Sequence, residues 1–574
     1  MLADQHYFKG FTLSEQPLKA DHIRTIQLGK SILSFDRELQ TAEYKGESHL
    51  VLIGYAVLAE DISLTAEQIL ERLDGLSVSD RHHLLNRLNG RYILLIAEDE
   101  IKIYPDATTM RPLFYCADYP VVASHSALAA ESCRQLYGTE LKCYSGEING
   151  YLDYSRYEGV YKLNPNTYLS FGSQKTTRFF PDQPFETMAL SEVLNQSIEY
   201  FSRIKEWLKM QDTYMTITAG IDSRLSLAVM HDPAIPLLTY NSLGKLSSLA
   251  KLTYENDVRT VQSIVDDLGL NHRLIHIENN DNVSDATKTY SSQFESTHSF
   301  SLSEKMAESN LKGKLHIKSN IFELAKLPVV TKYYETKDFR FMATIVKKKP
   351  KALHALSDDQ MVEDYLKRAD LSQEKAKGHY LADLYYQEQR MGNWHSNVTQ
   401  ETDNSVDIFI LLNTREMLRL VTSAPVNVRK NRVLHREWIN HFWPVLNFYP
   451  INDEGNLYEL YREHNEQLVI TGEGITFEDG EVLPKWPMTQ TDIPFSVTNK
   501  SADRRMLDFR SYYSNPNALG TIKIKIGSET YNYQDIVAGH TIKLDAGDTV
   551  QCAIIFNKCY DRESWQKAAR LTIK

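Results

Sequence analysis

Short apolar runs shape the first 180 residues. His49 to Ala56 (HLVLIGYA) and Arg91 to Ala97 (RYILLIA) read as strands. The second run follows Asn89-Gly90, a turn signal, and meets a polar tip at Glu98 to Glu100 before Ile101 to Tyr104 resumes. Between the runs, Ile69, Leu70 and Leu73 fall at helical spacing in Thr65 to Leu73. Leu113 to Tyr115 and Val121 to Ala123 add short strands. The pattern predicts a layered α+β domain with antiparallel sheet, ended by a linker at Phe179 to Phe185 (FFPDQPF).

The middle of the chain changes period. Leu190 to Leu208 repeats apolar residues near every 3.6 positions and predicts a helix. Tyr214 to Thr218 (YMTIT) is strand-like and runs through TAGIDSR into a helical stretch, Leu225 to Met230. Pro236 to Tyr240, a helix over Asp257 to Leu268 closed by Gly269, and Arg273 to Ile277 continue the alternation. Strands alternating with helices imply parallel βαβ units. Residues 360–470 look mostly helical and rich in Tyr, Trp and Arg. The tail alternates strictly at Thr521 to Ile526 (TIKIKI), turns at Gly527-Ser528 and repeats strand–turn–strand to Phe556, so about 490 to 574 reads as a small all-β module.

Composition narrows this little. A chain of 574 residues holds several domains, and 42% hydrophobic with 24% charged residues is ordinary for globular protein. The net charge of -11 gives no global pull toward nucleic acid or anionic lipid. The N-terminal stretch lacks the pattern of a secretory signal, no run of ~18 apolar residues occurs, and mean hydropathy is -0.40, so no membrane span is expected. Cys116, Cys133, Cys143, Cys552 and Cys559 are scattered without CxxC, which fits a reducing, cytoplasmic setting. His82-His83, His435 and His441 lack partners at metal spacing and read as surface or core histidines. Lys347-Lys348-Lys349-Pro350 reads as a solvated loop, and Trp438, Phe442 and Trp443 as core.

The informative segment is Tyr214 to Met230. A small-residue turn between strand and helix exposes backbone N–H groups beside a helix N-terminus, which favours anions. Gly220 permits close approach of a phosphate, Ser223 offers a hydroxyl, and Asp222 makes sense beside phosphate if a divalent cation lies between them. The alternative is that Asp222 and Ser223 merely cap the helix. No GxxxxGK[ST] is present, so this is not a Walker loop.

TAGIDSR resembles the SGGxDS pyrophosphate loop of the N-type ATP pyrophosphatases, and its neighbourhood resembles the asparagine synthetase / β-lactam synthetase family. Leu237-Leu238-Thr239-Tyr240 is similar to the strand that offers backbone to adenine. Asp257, and Leu268-Gly269-Leu270-Asn271-His272 after it, are similar to the acidic helix start and its following strand. Arg432-Val433-Leu434-His435-Arg436 stands where the family has K-x-x-L-R, with Arg432 for Lys and Arg436 matching, so both imply cations for a leaving pyrophosphate. Asn89-Gly90-Arg91-Tyr92, Asp106 to Tyr115 and Ala123-Ser124 resemble the family's glutaminase domain. The resemblance spans about residues 5–465.

Three departures matter. Glutaminases of this class use an N-terminal Cys whose α-amine is the base, but position 2 is Leu2, so ammonia is not expected to be made here and the amine would be an amino compound, an amino group of the same molecule or ammonia from outside. At Ile317 to Leu324 (IKSNIFEL) the family reads GxGxDEL; Phe322 takes the Asp place and Glu323 matches the Glu, either as a metal ligand or as a buried capping residue. In Tyr385 to Trp394, Glu388 is the candidate base with Tyr385 or Tyr386 beside it, or else forms a salt bridge to Arg390 or another helix.

The resemblance implies three parts: an Ntn-hydrolase-like αββα domain over 1–182, a degenerate class II glutaminase; a parallel-sheet ATP pyrophosphatase domain over 186–485; and a β-sandwich over 490–574. It implies an ATP- and Mg²⁺-dependent ligase that joins a carboxylate to an amine through an acyl-adenylate. ATP would meet Thr218, Ala219, Gly220, Ile221, Asp222, Ser223, Arg224, Leu238, Thr239, Tyr240 and Asn320; Asp222 and Glu323 would hold the metal; Glu388, Tyr386, Arg432 and Arg436 would serve the chemistry. The acid would be a glycan uronate, a peptide or a natural-product intermediate. The rivals are a non-catalytic scaffold and another adenylating enzyme. The tail reads as a packing or homo-oligomerisation module, or as a sugar binder through Tyr512, Tyr513, Tyr531 and Tyr533.

Overall fold

The computed structural model describes residues 6–17, 22–146, 148, 150–242, 248–277, 290–307, 310–345, 349–452, 454–456, 468–478, 480–500, 504–512 and 520–573. Leu2, Lys347, Lys348 and Tyr513 therefore lie outside the described residues. The chain divides between 454 and 455 into two compact units.

The first unit begins with two six-stranded antiparallel sheets. His49–Leu58 and Leu88–Ala97 pair at the centre of one of them. Their apolar runs are continuous because both faces are covered. Val51, Ile53, Ile93 and Leu95 meet Phe11, Leu13 and Leu33 of the other sheet. Leu50, Leu52, Leu94 and Ile96 meet Ile69, Leu70 and Leu85 on helices Ala66–Leu73 and Val78–Arg87. Helix Ser126–Tyr137 covers the other sheet's outer face through Leu128, Ala129 and Cys133. The result is helix, sheet, sheet, helix. Asn89-Gly90 is not a turn: both lie within strand Leu88–Ala97. A Cβ on Gly90 would sit 2.3 Å from the Tyr55 carbonyl oxygen, so glycine is needed for strand contact there.

A five-stranded parallel sheet follows, in the order His272–Ile277, Leu237–Ser242, Thr213–Thr216, Leu315–Lys318, Asp407–Ile410. Helices Leu190–Lys209, Ile221–Met230 and Ser248–Leu268 accompany it. The strand order reverses between Thr213–Thr216 and Leu315–Lys318. In such sheets the crevice beyond the carboxyl ends at this point is where ligands bind.

Buried polar contacts join this sheet to the antiparallel pair. Arg91 is fully buried and forks onto Asp403. Asn89 Nδ2 donates to the Ile410 and Leu411 carbonyls at 3.1 and 3.0 Å. Even the linker is pinned, with Phe179 and Phe180 buried and the Phe185 amide donating to the Lys377 carbonyl. The expected boundary near 182–186 thus lies inside one compact unit.

The second unit has two five-stranded antiparallel sheets with a shared core. Ile522, Ile524 and Ile526 point inward while Lys523 and Lys525 are exposed, as their alternation requires. Strand Leu468–Thr471 pairs with Asp492–Asn499, and Glu481–Pro484 with Leu571–Ile573. The module therefore starts well before the expected 490. Tyr533 is core, with its hydroxyl on the Arg570 carbonyl, so it is not part of an aromatic sugar platform. No described helix is long and apolar enough to cross a membrane.

Candidate functional site

The turn from Ile217 to Gly220 leaves the sheet at the reversal of strand order and enters helix Ile221–Met230. Its shape is fixed by side chains. Ser223 Oγ accepts from the Thr218 amide at 3.0 Å and lies 3.1 Å from Thr218 Oγ1. Asp257 Oδ1 accepts from the Ala219 amide at 2.9 Å, and Thr218 Oγ1 from the Gly220 amide at 3.1 Å. Arg224 is fully buried and donates to the carbonyls of Ala219, Leu446, Tyr449 and Pro450. Ser223 and Arg224 are thus staples of the turn, not the phosphate contacts expected from the sequence. Gly220 is the N-cap and no side chain caps the helix. Capping by Asp222 or Ser223 is thereby replaced by an N-terminus whose first-turn amides have neither a side-chain cap nor an intrahelical partner.

Asp222 is held on both oxygens. Lys326 Nζ lies 2.6 Å from Oδ2 and His435 Nε2 3.0 Å from Oδ1. Burial opposes ionisation of this carboxyl, but His435 and Lys326 outweigh it and keep its pKa below the ordinary value. Burial lowers the His435 pKa despite Asp222, which leaves a neutral imidazole bonded to a carboxylate. Sequence spacing contains both partners. Lys326 lies three residues after Glu323 in the 3₁₀ segment Phe322–Lys326, where i and i+3 eclipse. His435 lies three after Arg432, the N-cap, in the first turn of helix Val433–Phe442. The sequence leaves it a surface or core histidine because its partner is distant along the chain.

Glu323 faces the same crevice. Burial, then the Asp222 charge, raise its pKa. Its Oε2 is cut off from solvent beside the buried Tyr386 hydroxyl, whose pKa burial and Glu323 raise well above the ordinary value. The 3₁₀ segment is bracketed by left-handed residues, Ile321 (φ 78°) and Leu327 (φ 60°). A β-branched residue there is strained, a feature that clusters at functional sites. Because Glu323 binds its proton more tightly folded than unfolded, its ionisation costs stability as pH rises through that interval. Glu323→Gln is therefore expected to raise the thermal midpoint at pH 7 and to flatten its fall between mildly acidic and neutral pH, as differential scanning calorimetry would show.

Phe322 is fully buried, with ring centroids 6.1 Å from Phe201 and 6.3 Å from both Trp438 and His435. It belongs to the core behind the site. Phe322→Asp is expected to cost about 3 kcal/mol or more, measured as a shift in denaturant midpoint, because the new carboxylate has no partner there.

The remaining candidates divide. Strand Leu237–Ser242 extends past Thr213–Thr216, which pairs with it only up to Leu238. Among the described residues no strand pairs with the backbone edge from Thr239 onward on that side. Leu238 and Thr239 side chains are buried, while Tyr240 is 39% exposed. Asn320 is half-buried between strand Leu315–Lys318 and the 3₁₀ segment. Arg432 caps its helix with φ 55° and reaches His435 electrostatically. Arg436 forks onto neighbouring Glu437 at 2.5 and 3.1 Å.

Glu388 lies elsewhere. Arg178 donates to its two oxygens at 2.7 and 3.2 Å, Asn166 to Oε1 at 2.7 Å, and Asn164 and Tyr365 to Oε2 at 2.7 and 2.8 Å. Burial opposes its ionisation, but Arg178 and the asparagines prevail and hold its pKa below the ordinary value. With five donors and no exposure, it anchors the helical part to strand Lys175–Arg178. The salt bridge is made to Arg178 on a strand, rather than to Arg390 or another helix as expected, and a carboxylate so fully occupied does not suit a base.

Among the described residues no group of three or more His, Cys, Asp or Glu is arranged to hold a metal. Asp222 and Glu323, whose charges act on each other, nevertheless meet the need of Mg²⁺ at phosphate sites, where one or two carboxylates suffice and phosphates and water complete the shell.

No protein-family model matches the chain. No curated protein matches it. Among solved structures, NMN synthetase from Francisella tularensis is 14% identical, with 37% of this chain and 96% of that chain covered, at a TM-score of 0.19. A protein from Bacteroides fragilis assigned as an alpha-galactosidase is 9% identical over 79% of this chain and 95% of its own, at a TM-score of 0.13. Scores this low carry no argument about fold or function.

Proposed function

We propose that the first unit is an ATP-dependent ligase that forms AMP and pyrophosphate while joining a carboxylate to an amine. The observation that carries this reading is the uncapped helix N-terminus at Ile221, set at the reversal of strand order and flanked by Asp222, Lys326 and Arg432. Open amides and cations there suit a triphosphate tail.

In this reading the amides of Ile221 to Ser223 and the Lys326 ammonium bind the β- and γ-phosphates. The Thr239–Tyr240 backbone edge takes the adenine. Arg432 and Arg436 neutralise the leaving pyrophosphate. Asp222 and Glu323 would hold Mg²⁺, which supplies charge neutralisation on the phosphates when bound. A substrate carboxylate held beside the turn attacks the α-phosphorus, and the amine then displaces AMP; orientation supplies much of the rate. The antiparallel pair of sheets acts as a frame, with Cys116 and Cys133 buried and Cys143 exposed.

A second reading, a nucleotide-binding scaffold without turnover, is favoured by the Lys326 ion pair already on Asp222 and by Phe322 in the core. Exchange of labelled pyrophosphate into ATP, run with a panel of carboxylic acids, separates the two. Acid-dependent exchange supports the ligase; ATP binding without exchange supports the scaffold.

A further inference from the structure

Asp222 takes its two partners from two separate segments, and one buried residue is bonded to both segments. Lys326 ends the 3₁₀ segment Phe322–Lys326, and His435 lies in the first turn of helix Val433–Phe442. Arg429, in the short helix Val426–Lys430, is fully buried. Its guanidinium forks onto Asp383, Nη1 donating to Oδ2 at 2.8 Å and Nη2 to Oδ1 at 2.6 Å. The Tyr334 hydroxyl donates to the same Oδ1 at 2.8 Å. The fork neutralises the buried charge and leaves Nε for another acceptor. Nε donates to the Leu324 carbonyl at 2.7 Å, in the middle of the 3₁₀ segment. On the backbone side, the Arg429 carbonyl accepts from the Arg432 amide at 3.0 Å, and Arg432 is the left-handed N-cap of the helix that carries His435.

These bonds answer a local need. The 3₁₀ segment runs between Ile321 (φ 78°) and Leu327 (φ 60°), and such backbone persists only where its surroundings hold it. At the near end the Leu324 amide reaches back to the Ile321 carbonyl at 2.9 Å. At the far end Leu327 has left the helical path, and the Leu324 carbonyl, in a residue 1% exposed, takes its donor from Arg429. Only a guanidinium offers a fork and a third N–H in one plane, so a lysine here could serve Asp383 or Leu324 but not both. Asp383 extends the hold, because its helix, Leu381–Tyr385, runs directly into Tyr386 beside Glu323.

We propose that Arg429 is a positioning residue: by holding the Leu324 carbonyl and the Arg432 amide together, it places Lys326 and His435 where both meet Asp222. It acts through the backbone, since its own donors go to Asp383, Leu324, Thr422 and Tyr334. The placing of Lys326 stands without any assigned reaction; its consequence for turnover rests on the ligase reading.

The test is competitive acetylation of the full chain with sulfosuccinimidyl acetate, read lysine by lysine by mass spectrometry. An ammonium engaged by a carboxylate reacts slowly, because acylation needs its free lone pair. Lys9, paired with Asp407, and Lys314, paired with Asp212, are the internal references. In Arg429→Lys, Lys326 should acetylate up to about fivefold faster than in the wild type, the factor that one partly exposed ion pair is worth, while both references keep their rates. If that variant does not fold, Arg429→Met with Asp383→Leu takes its place, since replacing both members of a buried pair by apolar residues usually preserves the fold. In an Asp222→Ala background, where Lys326 is already released, the Arg429 change should add nothing. A merely structural role would lower the denaturant midpoint and leave Lys326 labelling in folded protein at the wild-type rate. That result would overturn the proposal, as would an equal rise at all three lysines or a further rise in the Asp222→Ala background. Under the ligase reading, acid-dependent pyrophosphate exchange should also fall at least about tenfold in the variant, as misplacement of a binding group does. Lys326 released in the variant, with no exchange by the wild type, would count against the ligase reading and leave the positioning role standing.

Discussion

Asp222→Ala is expected to reduce acid-dependent pyrophosphate exchange at least about a hundredfold, the scale on which single preorganised electrostatic groups act. The side chain orders both cationic and neutral partners of the phosphate site through Lys326 and His435. It also supplies one of two carboxylates proposed for Mg²⁺. Far-UV circular dichroism should be unchanged, because the Asp222 side chain lies at the crevice wall, 18% exposed, and its loss leaves Lys326, 26% exposed, able to reach solvent. Asp222→Asn separates charge from hydrogen bonding: it can still accept from His435, yet it should lose as much exchange as alanine. Wild-type-like exchange in either variant would contradict the role given to this residue.

Glu388→Ala is expected to destabilise the first unit by about 3–5 kcal/mol, the range for breaking a buried ion pair from one side. It leaves the buried Arg178 guanidinium without its carboxylate and strands donors on Asn164, Asn166 and Tyr365. The measurement is the denaturant midpoint of the full chain. A pH series adds the sign. The Glu388 pKa is lower folded than unfolded, so its contribution is complete above the unfolded value and is lost as pH falls through the folded one. Glu388→Gln should remove that acid-sensitive part while retaining several hydrogen bonds, and should exchange pyrophosphate at a near wild-type rate in folded protein. A catalytic base at this position would give the reverse: a stable variant that activates the acid but transfers nothing to the amine.

Much of the architecture was legible where one residue type carries one periodicity. HLVLIGYA and TIKIKI state their own strands, and Leu190 to Leu208 its own helix. The turn after YMTIT was legible because small residues between strand and helix have few other uses. Roles assigned by chemistry alone fared less well. Ser223 and Arg224 are polar residues in a phosphate-loop pattern, but burial turns both inward to staple the turn. Asn89-Gly90 carries a hairpin signal, yet tight strand packing needs the same missing Cβ. Glu388 looked like a base because nothing near it in sequence revealed Arg178, some two hundred residues earlier. Lys326 and His435 share that difficulty, for their meeting at Asp222 is made by the order of the strands.

The central claim concerns where a triphosphate rests. A crystal soaked with α,β-methylene ATP and Mg²⁺ tests it most directly. The account requires the phosphates over the first-turn amides at Ile221 to Ser223 with Lys326 swung from Asp222 onto them. Nucleotide seated elsewhere, or a crevice still closed by the Lys326–Asp222 pair at saturating concentration, would contradict it.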